Sequence, residues 1–198
     1  MRLDSGSLVL DKELSDLDLK VLEFSQLLEE LEVDYVIVSG YVAILTGRSR
    51  GTEDVDFLIS PETFDKQKFD EILEEGYWAV DATEKSEVEE RMDDDLSIRL
   101  AEEGEVIPNF ELFYPATSYD RKSLEDKITV NFEAEERKLF ISPIELQISY
   151  KLYLGSEKDF EDALHLYTVF KDEINDQKLQ KTSKQMNVHD KLKRLRET

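Results

Sequence analysis

The chain has 198 residues, 40% hydrophobic and 36% charged, enough apolar material for a sizeable core and too much for wholesale disorder. It contains no cysteine, which excludes disulfides, thiolate metal sites and a cysteine nucleophile, and no apolar run of about 18 residues that would span a membrane. The net charge of -22 argues against non-specific binding to duplex DNA.

The opening "MRLDSGSLVLDKE" lacks a long apolar stretch, so a cytoplasmic location is expected. "DLDLKVLEFSQLLEELEV" spaces Leu17, Val21, Phe24, Leu27, Leu28 and Leu31 at helical intervals, with Ser15 or Asp16 as the cap. "DYVIVSG" reads as a short strand ended by Gly40. Residues 41–46 read as a short helix, 47–53 as a loop and "DVDFLIS" as a second strand. "SPETFDKQKFDEILEEG" reads as a helix capped by Ser60, with Pro61 in its first turn and Gly76 past its end.

"YWAVDA" is a candidate strand, and "SEVEERMDDD" an exposed helix or loop. "LSIRLAEE" and "PNFELFYPA" read as antiparallel strands joined near Gly104, and "DKITVNFEAEERKLFIS" as a hairpin around Glu133–Glu136. From Ser142 the pattern is helical. Ser142, Pro143 and Glu145 suggest a cap, a first turn and a capping box, and Ser156 with Asp159 repeats that logic. Two basic helices finish the chain. From Gln177 on there are seven Lys/Arg and two Asp/Glu, a net of +5, against 18 and 45, or -27, in the rest. This end reads as a helix pairing with the acidic body or as a contact strip for RNA or an acidic partner. The order predicts an α+β, mixed α/β core over 1–141, with a small mixed sheet flanked by helices, and a C-terminal helical region over 142–198.

One stretch carries chemistry. Side chains alternate along a strand, so Asp54 and Asp56 share a face while Val55 and Phe57 point into the core. Two close carboxylates repel, and a divalent cation with oxygen ligands, Mg²⁺ or Mn²⁺, removes that cost. Gly47 and Gly51 bracket Arg48 and Arg50 just upstream, placing anion-binding groups beside the acids. Ser39-Gly40 stands at a strand-to-helix turn.

The run from Ser39 to Ile59, "SGYVAILTGRSRGTEDVDFLI", resembles the polymerase-β-type nucleotidyltransferase superfamily. It is nearest the branch of AbiE-type toxins and minimal nucleotidyltransferases, written hGGxAxxLhGxxRxTxDhDhhh. Ser39 and Gly40 fall on its glycine pair, Gly47 on the inner glycine, Arg50 and Thr52 on the R-x-T, and Asp54 and Asp56 on the acids, without a gap. A weaker likeness continues through "ISPIELQISYKLYLGSEKDFEDALHLY", with Lys151 in one helix and Lys158, Asp159 and Asp162 opening the next. Many members carry Gly-Ser where this chain has Ser39-Gly40 followed by Tyr41, so the hydroxyl sits one place early.

The resemblance implies transfer of a nucleoside monophosphate from an NTP, ATP first among them, to a hydroxyl of a protein, an RNA or a small molecule. Asp54 and Asp56 would hold the metal. The third acid would be Glu111, which alternates with Phe110 and Leu112; Asp81 and Glu102 are its rivals. Ser39, Gly40, Arg50, Thr52 and Lys151 would bind the nucleotide, although Lys151 also suits a lysine lying over apolar neighbours, and Lys158, Asp159 and Asp162 suit capping and ion pairing. The alternative is a catalytically weak nucleotide- or partner-binding module of the same fold, such as a toxin–antitoxin component.

Overall fold

A computed structural model describes residues 1–4, 6–81, 91, 96–133 and 135–198. The "SEVEERMDDD" segment lies, Arg91 apart, outside the described residues, as does Ala134 within the proposed hairpin turn.

The described residues form a nine-stranded mixed sheet and eight helices. In chain order these are β1 (Arg2–Asp4), β2 (Ser7–Leu10), α1 (Asp16–Glu30), β3 (Tyr35–Val38), α2 (Gly40–Leu45), β4 (Asp54–Ile59), α3 (Lys66–Glu74), β5 (Tyr77–Ala79), β6 (Ile98–Glu102), β7 (Asn109–Phe113), α4 (Ser118–Glu125), β8 (Ile128–Phe132), β9 (Glu135–Ile141), α5 (Ile144–Leu154), α6 (Glu157–Phe170), α7 (Asp176–Gln185) and α8 (His189–Glu197). The strand order is β1-β2-β8-β9-β3-β4-β7-β6-β5. β3 runs antiparallel to β4, and β4 runs parallel to β7. No helix among the described residues is long and apolar enough to cross a membrane.

Val55 and Phe57 are fully buried, as the strand alternation requires. Phe24 of α1 stacks on Phe110 of β7 with ring centroids 4.3 Å apart, and meets Phe57 edge-on at 5.2 Å. This aromatic group locks α1 against one face of β4 and β7 and so fixes the direction of the acids on the other face. The opposite face holds a smaller cluster of Val36, Val38 and Leu58, against which Phe113 and Leu124 pack.

Capping chemistry sets several helix starts. Ser15 and Asp18 form a reciprocal capping box on α1, and Ser156 accepts from the Asp159 N–H on α6. Two expected starts differ. α3 begins at Lys66, capped by Asp65, whose Oδ1 accepts from the Lys68 N–H at 3.0 Å; Ser60 instead closes a local turn by accepting from the Glu62 N–H. α5 has Pro143 at its cap position with no side-chain cap. Ser142 is buried and bonded to Ser123 at 2.9 Å, and Glu145 accepts from the Asn175 N–H at 2.8 Å, so both groups tie α5 to other elements rather than to its own first turn. The N-terminal pair β1 and β2 had no counterpart in the sequence reading; β2 pairs in parallel with β8.

The basic end packs onto the body. Leu179, Met186, Val188, Leu192 and Leu195 are buried, Arg196 pairs with Asp176, Lys178 lies 3.5 Å from Asp126, and Arg194 covers the Phe160 ring at 5.2 Å. One apolar cluster runs from the sheet through α2 into α5 and α6.

Candidate active site

Two neighbouring strands build the acidic part. The parallel register of β4 and β7 sets Asp56 beside Glu111, with Asp54 two residues upstream on the same face. The three carboxylates offer oxygens that all lie within 4.8 Å of one another, and each residue is partly buried. Of the rivals, Asp81 is engaged with Arg91 and the Arg99 N–H, and Glu102 pairs with Lys20. Glu111 Oε1 accepts from the Ser97 hydroxyl, and its Oε2 lies 3.6 Å from Arg99 Nε.

Burial, followed by the charges of Asp54 and Glu111, pushes the Asp56 carboxyl up to about 6, against a hydrogen bond from Ser39 and the charge of Lys151. A carboxylate strained in this way by its own kind is relieved by a cation placed among the three. The donor set is all oxygen, the preference of Mg²⁺ and Mn²⁺. These residues therefore fit a divalent ion.

Ser39 follows β3 with φ 63° and ψ -131°, a backbone setting that costs a residue with a Cβ of order 1–3 kcal/mol. Side chains hold it there: Gln147 Oε1 of α5 accepts from the Ser39 N–H at 3.1 Å, and Lys151 Nζ, one turn on, lies 3.3 Å from Ser39 Oγ. Gly40 comes next, and a Cβ there would sit 2.4 Å from Arg50 Nη2. Glycine is what lets the guanidinium lie against the turn. The Thr52 hydroxyl lies 2.9 Å from the Asp54 carbonyl oxygen and 3.0 Å from its Oδ1, bracing the entry to β4.

The cations converge on Asp162 of α6, whose side chain is fully buried. Arg50 Nη1 reaches its Oδ2 at 2.8 Å, Lys151 Nζ at 3.1 Å, and Arg48 contacts its Oδ1. Arg48 also pairs with Glu161 at 2.5 Å, and Lys151 with Asp159 at 3.0 Å. Lys151 is 4% exposed; burial lowers its pKa against the opposing pull of Asp159. It lies among carboxylates, not stretched over apolar neighbours toward solvent. Burial, then Arg48, also lowers Arg50.

The candidate residues Ser39, Gly40, Arg50, Thr52, Lys151, Asp54, Asp56 and Glu111 thus lie together at one end of β3, β4 and β7. Gln147 and Ser97 escaped the sequence reading. Gln147 had a signal, since it precedes Lys151 by four residues on one helix face; Ser97 had none. His165 stands apart, bonded to Thr46 at 3.2 Å.

No protein-family model matches the chain, and no curated protein matches it. Solved structures share its architecture. An antigenic nucleotidyltransferase-like protein from Paracoccidioides brasiliensis superposes with a TM-score of 0.58 at 18% identity, covering 93% of this chain and 94% of its own. The antibiotic-resistance factor ANT(2'')-Ia superposes with a TM-score of 0.53 at 14% identity, covering 87% and 93%. At such identities the likeness speaks for the fold, and this chain has the fold of nucleotidyltransferase-like proteins.

Proposed function

We propose that this protein is a metal-dependent nucleotidyltransferase that moves a nucleoside monophosphate from an NTP, ATP in the first instance, to a hydroxyl of a protein, an RNA or a small molecule. The observation that carries this reading is the convergence of three carboxylates with a strained turn, an arginine and a buried lysine. The gap-free run from Ser39 to Asp56 supports a place near the AbiE-type branch, and the cysteine-free composition supports a cytoplasmic setting.

Asp54, Asp56 and Glu111 would hold Mg²⁺ or Mn²⁺, which when bound neutralises charge on the carboxylates and the triphosphate and supplies Lewis acidity. The chain's own groups do the rest. Arg50, lying against Gly40, presents its forked N–H donors to phosphate oxygens, and Lys151 beside Ser39 adds a second cation. Thr52 holds Asp54 in place. Glu111, oriented by Ser97, takes the proton of the acceptor hydroxyl. The hydroxyl oxygen then bonds to the α-phosphorus, the bond from that phosphorus to the bridging oxygen breaks, and pyrophosphate leaves.

The test is thermal melting with each NTP, with and without Mg²⁺, in the wild type and in the double variant Asp54→Ala/Asp56→Ala. An NTP- and Mg²⁺-dependent rise in Tm is expected, and it should vanish in the variant. No shift with any NTP defeats the reading, and a shift that survives both substitutions places binding elsewhere.

A further inference from the structure

A cavity of about 390 Å³ lies between the end of α5, the first turns of α6 and the helix α8. On α6 it is lined by Glu157, Phe160, Glu161 and Leu164, whose spacing of three and four residues makes one face of the helix. Asp159 and Asp162, which hold Lys151, Arg50 and Arg48, project from the opposite face of that helix. α6 therefore stands between this cavity and the candidate active site. The volume falls within the range of small-molecule sites, about 300–1,000 Å³.

Two cations of α8 line the cavity, Lys191 and Arg194, one turn apart. Lys191 Nζ donates to the Leu152 carbonyl at 2.7 Å. Gly155 makes room for it: its φ is 75°, and a Cβ there would sit 2.7 Å from that Nζ. An ammonium has three N–H groups, so donors remain after this bond. Arg194 lies over the Phe160 ring, 5.2 Å from its centroid, which leaves the edge of the guanidinium to bind an anion. Their neighbours Lys193 and Arg196 pair with Asp190 and Asp176, whereas neither Lys191 nor Arg194 has a carboxylate partner among the described residues. In a chain with 47 acids against 25 Lys/Arg, two such cations over one cavity are a local exception. Two acids share the wall. Glu161 is held by Arg48 at 2.5 Å, so Glu157 is the one whose charge opposes the cations. The rest of the surface is apolar, from Leu152, Phe160 and Leu164.

We propose that this cavity binds a small organic anion: one phosphate or carboxylate head group on a flat apolar body. The head group meets Lys191 and the forked donors of Arg194, and the body lies on Leu152, Phe160 and Leu164. The space takes one ring with its head group, so the occupant is a free small molecule and not part of a folded partner. The site lies across α6 from the three carboxylates and stands whether or not the nucleotidyltransferase reading does.

The test separates the head group from the body. Phenyl phosphate, benzoate, inorganic phosphate and benzyl alcohol are titrated calorimetrically, without divalent metal, into the full chain as wild type, Lys191→Met/Arg194→Met and Glu157→Gln. All three positions are exposed, and melting curves check that each variant is folded. Phenyl phosphate or benzoate is expected to bind about tenfold or more tightly than inorganic phosphate or benzyl alcohol, and the tighter of the two identifies the head group. The double variant should weaken that binding about tenfold or more, and Glu157→Gln should tighten it about twofold. A wild type that binds neither aromatic anion overturns the proposal. Unchanged affinity in the double variant also overturns it, because Arg50 and Lys151 are intact there and would be the seat. Inorganic phosphate binding as tightly as phenyl phosphate reduces the site to a surface ion contact and overturns it too. Unaltered or weaker binding to Glu157→Gln contradicts the charge argument, and holds as a test even if the double variant fails to fold.

Discussion

Replacing Asp162 with asparagine removes the anion on which three cations converge. Its carboxylate is fully buried, and the side chains of Arg48, Arg50 and Lys151 are 14%, 11% and 4% exposed, so none of these charges relaxes into water without moving. Breaking a buried ion pair from one side costs about 3–5 kcal/mol, because the remaining charge stays buried. Here the loss is partial. Arg48 keeps Glu161 and the Lys158 carbonyl, and Lys151 keeps Asp159. Arg50 keeps two long hydrogen bonds, 3.4 Å to the Gly51 carbonyl and 3.5 Å to Thr52, and the nearby charges of Asp54, Asp159 and Asp56. The cost therefore falls at the lower end, about 3 kcal/mol, or a fall in Tm of roughly 6–12 °C for a chain of this size. Scanning calorimetry of the metal-free protein at pH 7 measures it. Glu161→Gln is the control: Glu161 is 57% exposed and its exchange should cost no more than about 1 kcal/mol. An Asp162→Asn protein melting within 2 °C of wild type, or no lower than Glu161→Gln, would refute the view that one buried carboxylate organises this cluster.

Gly40→Ala should lower Tm and weaken NTP binding about tenfold or more, since its Cβ pushes the Arg50 guanidinium off the turn and away from buried Asp162; a melting curve and calorimetric titration read the two outcomes. Asp56 makes the metal-free protein pH-sensitive. Its folded pKa of about 6 lies above its ordinary 3.8, so the folded state holds a proton that the unfolded state has released. Its contribution favours folding below pH 4 and is lost as the pH rises through 6. Urea melts in EDTA should therefore show a falling contribution across that window, absent in Asp56→Asn, and identical pH slopes in the two proteins would contradict the assigned burial. Saturating Mg²⁺ should flatten the same slope in the wild type, because a cation among the carboxylates favours their ionised forms.

Much of this architecture depends on short-range rules. Alternation alone puts Asp54 and Asp56 on one face and Val55 and Phe57 on the other, and a hydroxyl followed three residues later by an acid marks the starts of α1 and α6. The same rules misplace α3 and the cap of α5. Asp65 competes successfully with Ser60, and burial draws Ser142 and Glu145 away from their own helix toward Ser123 and Asn175. β1 and β2 pair with each other as short strands and join the sheet through β2, whose other partner β8 lies more than a hundred residues downstream, and no local pattern announces that pairing.

The sequence by itself determined the two acids of β4, the glycine at the turn after β3, and the basic and acidic partition of the chain, because each depends on spacing within a few residues or on composition. Only the tertiary structure decided which acid joins Asp54 and Asp56. The parallel register of β4 with β7 brings Glu111 alongside Asp56 from more than fifty residues away, while Asp81 and Glu102 are drawn to Arg91 and Lys20. It likewise decided that Asp162, one residue in an ordinary amphipathic helix, is the buried anion at the centre of the cationic cluster. Strand register and helix packing are settled by burial of apolar surface over the whole chain, and no window of neighbouring residues contains that information.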